Sequence, residues 1–237
     1  MCEKLKVIGF QALGVAREFF VFPESGLLKL PPGFTPELRA LVEPTAVAVH
    51  AVGRAGGVAG LRVLVLGIGP IGSLVALVAQ WRGAAQILIS DLSERRLGIA
   101  RQCGIVNTFN PQKAFLESYV SEVFDPDRTD TAFECVGVTE TASQAIRCVR
   151  KGGATIVVGF FSNRPEVASR LMQDRELDVR GTLMYRREDY IDAIRFLFVG
   201  GIISKPLLTK NFSFRNYPES YLFIEANREK GMIELGE

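Results

Sequence analysis

From Arg62 onward, apolar and polar positions alternate between two patterns. The run "RVLVLG" (62–67) is continuously apolar and of strand length, and a helical spacing follows it directly from Pro70 to Trp81. "QILIS" (86–90) predicts a second strand. "SERRLGIARQCG" (93–104) predicts a helix that Ser93 caps and Gly104 ends. "IVNTF" (105–109) predicts a third strand, and "AFLESYVSEVF" (114–124) has helical spacing. The alternation then repeats: strand "DTAFECVG" (130–137), helix "TETASQAIRCVRKGG" (139–153), strand "ATIVVGF" (154–160), short helix "PEVASRLMQD" (165–174) and strand "LDVRGTL" (177–183).

Strands without polar alternation, joined by helices, imply a parallel sheet covered on both faces. Six of them in two βαβαβ halves predict an α/β fold, a doubly wound parallel six-stranded Rossmann sheet with strand order 3-2-1-4-5-6. The flanks read differently. Residues 1–40 suggest irregular β structure leaving through "KLPPGFTPE", and 184–237 hold two helical stretches around "KPLLTKNFSF". Each has too little apolar surface for a core of its own, so they read as two pieces of one second domain.

The apolar segment "LVEPTAVAVHAV" (41–52) carries two polar residues, Glu43 and the single histidine of the chain, His50. They are seven residues apart, about two helical turns, and so share a helix face. A two-residue metal or proton-transfer site is one reading, and a helix with polar residues at its edges is the other.

Composition narrows the function classes. With 28 Lys and Arg against 26 Asp and Glu, the net charge of +2 points to no nucleic-acid groove and no basic membrane face. The most apolar run, 63–79, is interrupted by Gly67, Gly69, Pro70 and Gly72, which argues against a membrane span. "MCEKLKVIGF" lacks the apolar core of a secretory signal, so the expected location is the cytoplasm. Cys2, Cys103, Cys135 and Cys148 show no C-x-x-C spacing and no nearby histidine, which excludes a self-contained Cys/His zinc site and leaves free thiols as the reading.

The chemistry concentrates in "GIGPIG" (67–72), a G-x-G-x-x-G between a strand and a helix. Gly67 makes the tight turn, and Gly69 lets backbone approach a pyrophosphate. Gly72 permits close helix–strand packing, while Pro70 and Ile71 open a helix whose N-terminus attracts anions. Asp91 ends the second strand, where an acid accepts hydrogen bonds from adenosine ribose hydroxyls and repels a 2′-phosphate. The expected cofactor is therefore NAD rather than NADP.

The long stretch from "LVEPTAVAVHAV" through "LVLGIGPIGSLVALVAQWRGAAQILISDLSERRLGIARQCG" resembles the zinc-type medium-chain alcohol dehydrogenases, nearest their sorbitol and polyol dehydrogenase branch. The flanks "KVIGFQALGVAREFFVFPESGLLKLPPGF" and "KPLLTKNFSF" are similar to parts of that family's catalytic domain. The resemblance implies residues 1–42 as a remnant of a GroES-like catalytic domain, 43–183 as the NAD-binding Rossmann domain, and 184–237 as the return to the catalytic domain. It implies hydride transfer from an alcohol or polyol to NAD, with a zinc ion at the alcohol oxygen, in a homo-oligomer that often pairs through the sixth strand. By residue, it places Glu43 at the catalytic zinc, Arg96 at the adenosine end, Cys135, Val136 and Gly137 beside the nicotinamide ribose, and Val158, Gly159 and Phe160 beside the nicotinamide.

The departures from the family pattern are as informative. The family's other zinc ligands have no counterpart in this sequence, and only Cys2 matches its structural zinc lobe. The zinc site is therefore expected to be incomplete, with Glu43 its one metal candidate. Where polyol dehydrogenases carry Arg-Tyr, this chain has Met184–Tyr185, which leaves Tyr185 as a candidate substrate contact. The apolar faces of 5–22 and 190–199 are expected to lack partners. Two further readings stand beside the dehydrogenase: a non-catalytic NAD(H)-binding protein or subunit, and a zinc-free reductase of the same superfamily.

Overall fold

The computed structural model describes residues 4, 6–124, 127–199, 205–226 and 232–236. The chain forms two compact units, 1–33 and 34–237. The first is mostly irregular, with a bridge between Ile8 and Ala12 and a 3-10 turn at Glu24–Gly26.

In the second unit, α1 (Pro36–Arg54) begins where the Thr35 hydroxyl accepts the Leu38 N–H at 3.4 Å and Pro36 opens the helix. The helix runs unbroken through 42–43, the point at which the sequence divides into domains by family resemblance. Then follow β1 (Arg62–Leu66), α2 (Pro70–Trp81), β2 (Gln86–Ser90), α3 (Glu94–Gln102), β3 (Asn107–Phe109) and α4 (Leu116–Val123). The second half has β4 (Thr129–Glu134), α5 (Thr139–Cys148), β5 (Val149–Val157), α6 (Ser169–Asp174) and β6 (Asp178–Gly181). After these come α7 (Arg187–Val199), β7 (Leu208–Ser213), α8 (Tyr217–Ala226) and β8 (Met232–Gly236), the last pairing in parallel with β7.

The six central strands are all parallel and ordered β3-β2-β1-β4-β5-β6, as the two-half pattern predicts. Alternation along β1 divides the core. Val63 and Val65 join the cluster under α1, α2 and α7, whereas Leu64 and Leu66 join the one under α4 and α5. Helix α2 is buried continuously from Gly72 to Ala79, because α1 covers the side that the sheet does not.

Two expectations change. Helix α5 stops at Cys148, and β5 takes residues 149–153 as well, with a register shift against β4 between Thr129 and Thr131. Val149 is fully buried in the core, and Arg150 is drawn to Asp130 at 2.5 Å, so tertiary partners outweigh the helical spacing of "RCVRKGG". The apolar face of 190–199 also has partners. Ala193 and Phe196 are fully buried, and Phe196 meets Trp81 edge-on at 5.5 Å. In 5–22, by contrast, Phe10, Phe19 and Val21 are exposed.

Cys103 and Cys148 are buried and Cys135 is partly so, all as free thiols, while Cys2 lies outside the described residues. Burial raises all three thiols, Cys148 to about 12, so none is a reactive thiolate. Among the described residues no helix is long and apolar enough to cross a membrane.

Candidate functional site

The strand order reverses between β1 and β4, and a cleft of about 840 Å³ opens at the carboxyl ends of the strands there. On its floor, β1 runs into Gly67, whose φ of +85° only glycine adopts at low cost. A Cβ on Gly72 would lie 1.9 Å from the Gly67 carbonyl oxygen, so helix and strand approach too closely for any side chain. Around Gly69 there is open space, and α2 begins with no side-chain cap on its N-terminal N–H groups. Gly69, the cap residue of α2, lines the cleft, and the free N–H groups of a helix N-terminus attract anions.

Asp91 lies at the end of β2, buried, with one oxygen accepting from Ile68 N at 2.8 Å and the other from Ser93 N at 2.8 Å. It braces the glycine turn while lining the cleft. Arg96 stands 3.6 Å from the Asp91 carboxylate and lines the same wall. Pro70 lines a small adjoining cavity with Leu207, and Ile71 packs on the core behind it.

The opposite wall comes from β4 and the loop that follows it. Cys135 and Val136 line the cleft, and Val136 touches the glycine turn, 2.4 Å from where a Gly67 Cβ would be. Gly137 (φ +85°) lies so close to the β5 end that its Cβ would meet the Phe160 carbonyl oxygen at 2.4 Å. Val158 and Gly159 donate their N–H groups to the Glu134 carbonyl at 2.8 and 2.9 Å. Phe160 is 89% exposed, an apolar side chain beside the loop. Of the predicted cofactor residues, Gly67, Gly69, Asp91, Arg96, Cys135 and Val136 line the cleft, whereas Pro70, Ile71, Gly72, Gly137, Val158, Gly159 and Phe160 fall outside its lining.

Sequence reading missed Glu134 and Thr141. Glu134 is fully buried, and one of its oxygens accepts from Val136 N at 2.9 Å, Gly137 N at 2.8 Å and the Thr141 hydroxyl at 2.7 Å. An acid in the middle of "AFECVG" (132–137), an otherwise apolar stretch, was the available signal.

Glu43 and Tyr185 are brought together, but outside the lining of this cleft. The Tyr185 hydroxyl is the hydrogen-bond partner of the Glu43 carboxylate, and its ring meets Tyr190 edge-on at 4.8 Å. Crowding raises the Glu43 carboxyl even though part of the side chain reaches solvent, and the Tyr185 bond partly opposes that rise. Burial, Tyr190 and the Glu43 charge together raise the Tyr185 phenol well above its usual value. Met184, with φ +55°, sets the turn that presents Tyr185.

His50 does not join Glu43. Its Nδ1 lies 2.9 Å from Asp189 Oδ2, and the same oxygen accepts the Arg186 N–H at 2.6 Å, so His50 ties α1 to the start of α7. Among the described residues no three His, Cys, Asp or Glu side chains gather to hold a metal. Glu43 is a single donor where about three are needed, so a zinc ion does not fit the donor set of the described residues.

Comparison with known proteins bears on the same elements. Residues 70–198 match a family model described as zinc-binding dehydrogenase. Sorbitol dehydrogenase 1 of Saccharomyces cerevisiae is 31% identical over 214 residues, covering 88% of this chain and 60% of that protein. L-idonate 5-dehydrogenase of Vitis vinifera is 32% identical over 240 residues, covering 99% of this chain and 65% of that protein. The crystal structure of galactitol-1-phosphate dehydrogenase from Escherichia coli superposes with a TM-score of 0.91 at 25% identity, covering 99% of this chain and 70% of that one. The chain spans about three fifths of the length of the curated relatives it matches.

Proposed function

The chain belongs to the zinc-binding dehydrogenase family, and on that footing we propose that it binds NAD and serves hydride transfer from an alcohol or polyol. One observation carries the reading: an uncapped helix N-terminus over a glycine cradle, with the Asp91 carboxylate bracing that cradle and lining the same cleft. A dinucleotide fits that arrangement. The N-terminus of α2 meets the pyrophosphate, and Asp91 accepts from the adenosine ribose hydroxyls. Arg96 lies along the adenine side, Cys135, Val136 and Gly137 along the second ribose, and Val158, Gly159 and Phe160 along the nicotinamide. Bound there, the nicotinamide supplies a hydride acceptor. The protein's part is to hold it between two loops and to shield it from water.

Asp91 favours NAD(H) over NADP(H), since a 2′-phosphate would add charge beside a buried carboxylate. Titration followed by fluorescence is expected to show NADH binding about tenfold or more tighter than NADPH. Equal affinity, or tighter NADPH, refutes this and favours the zinc-free reductase reading.

A second reading rests on the missing donors around Glu43. The chain alone then binds NAD(H) without turnover, as a cofactor-binding subunit or part of a larger enzyme. Assaying NAD reduction with sorbitol and simple alcohols, with stoichiometric zinc added, decides between the two. Zinc-dependent turnover by this chain excludes the second. The proposed setting is cytoplasmic, as a homo-oligomer, with β6 at the open edge of the sheet as the proposed pairing strand.

A further inference from the structure

Burying a carboxylate is costly unless donors compensate it, and β4 buries one at its cofactor end. Three donors converge on one oxygen of Glu134, from the Val136 and Gly137 N–H groups and the Thr141 hydroxyl. Its backbone carbonyl meanwhile takes the N–H groups of Val158 and Gly159. One residue therefore ties the loop after β4 to the loop after β5. The second oxygen is buried and has no hydrogen-bond partner among the described residues. It faces Gly159, where an added Cβ would lie 2.6 Å from it, so a glycine is what allows the carboxylate to stay under both loops. Among the described residues no Lys, Arg or His forms an ion pair with Glu134.

The dinucleotide's direction follows from the cleft. Asp91 takes the adenosine end at β2, the glycine turn takes the pyrophosphate at β1, and the nicotinamide then lies over the ends of β4 and β5. That ring is a cation in NAD+ and neutral in NADH. A buried, cation-free carboxylate beneath its loops therefore favours the oxidised form by Coulomb attraction that solvent screens weakly. We propose that Glu134 is a positioning residue with a second role: its charge, held by neutral donors rather than by a cation, sets the balance of affinity between NAD+ and NADH. The proposal rests on the reading that this cleft takes NAD(H).

The test measures Kd for NAD+, NADH and ADP-ribose on the same protein. Glu134→Gln keeps the shape and removes the charge. It is expected to shift the ratio of affinities about tenfold toward NADH, the size of a unit charge acting over roughly 10 Å at an effective dielectric of about 20. ADP-ribose, which lacks the ring, is expected to bind as before. Thr141→Val removes one donor and keeps the charge, so it weakens both forms alike and leaves the ratio in place. An unchanged ratio in Glu134→Gln, or an equal shift in Thr141→Val, overturns the proposal. If Glu134→Gln loses ADP-ribose binding, the native chain decides: NAD+ is expected to bind about tenfold tighter than its uncharged benzamide analogue, and equal affinity overturns the proposal. A native chain that binds neither ADP-ribose nor NAD+ refutes instead the assignment of the cleft.

Discussion

Strand β4 carries two buried carboxylates with opposite treatments. At its start, Asp130 accepts from Arg62 N, Nε and Nη2 at 2.8, 3.0 and 3.2 Å and from Arg150 Nε at 2.5 Å. Burial alone would raise its carboxyl, but the bonds from Arg62 and Arg150 outweigh that and hold it at about 2. At the other end, Glu134 has backbone and hydroxyl donors on one oxygen and, among the described residues, nothing on the other and no cation. The first arrangement secures the sheet and asks nothing of a ligand. The second keeps a carboxylate with an open acceptor at the end of β4, directly before Cys135 and Val136 of the cleft wall. On the proposed reading, the two ends of one strand divide stability from binding.

The largest expected effect breaks the stabilising end. Asp130→Asn leaves two arginines beside an uncharged partner and is expected to cost about 3 kcal/mol of stability, read by urea denaturation. NADH affinity should remain within about twofold, and a tenfold loss would show the two ends to be coupled. Acid sharpens the same contrast. The Asp130 carboxyl moves from 3.8 in the unfolded chain to about 2 when folded, so its contribution is complete above about pH 4. It is lost as pH falls toward about 2, a loss of about 2 kcal/mol that Asp130→Asn should not show. Unfolding midpoints across that range, native against variant, measure the difference.

At the binding end, Asp91→Asn is expected to narrow the preference for NADH over NADPH about tenfold, about 1.4 kcal/mol, in the same titrations. The smallest effect belongs to a pair at neither end. Tyr185→Phe removes the bond to Glu43, is expected to cost less than about 1 kcal/mol, and should leave NADH affinity unchanged. A large loss of cofactor binding there would join the Glu43–Tyr185 pair to the cleft.

Much of the binding end was legible in the sequence because its requirements are local. Gly67, Gly69 and Gly72 must stand at fixed spacing between a strand and a helix, and α2 and β2 occupy the predicted residues, 70–81 and 86–90. Ser93 caps α3, accepting the Arg96 N–H at 3.4 Å, for the same local reason. The stabilising end was not legible. Residues 149–153 have helical spacing, yet they extend β5, with Val149 paired to Thr129, because Val149 finds a core and Arg150 finds Asp130 twenty residues away. Glu134 could be singled out as an acid in an apolar run, but its donors come from three residues beyond the strand.

Glu43 and His50 show where that division falls. Sequence alone determined that both lie on one helix two turns apart, since helical periodicity is a property of the local chain. Only the tertiary structure decided that they have separate partners. Tyr185 reaches Glu43, and Asp189 reaches His50 across 139 residues of sequence. Hydrogen-bond partners at such separations are set by how helices pack, and no local spacing encodes them. The fold and the cofactor cradle are therefore matters of sequence pattern. Which buried acid is neutralised, which is left open, and which histidine merely ties two helices are matters of packing.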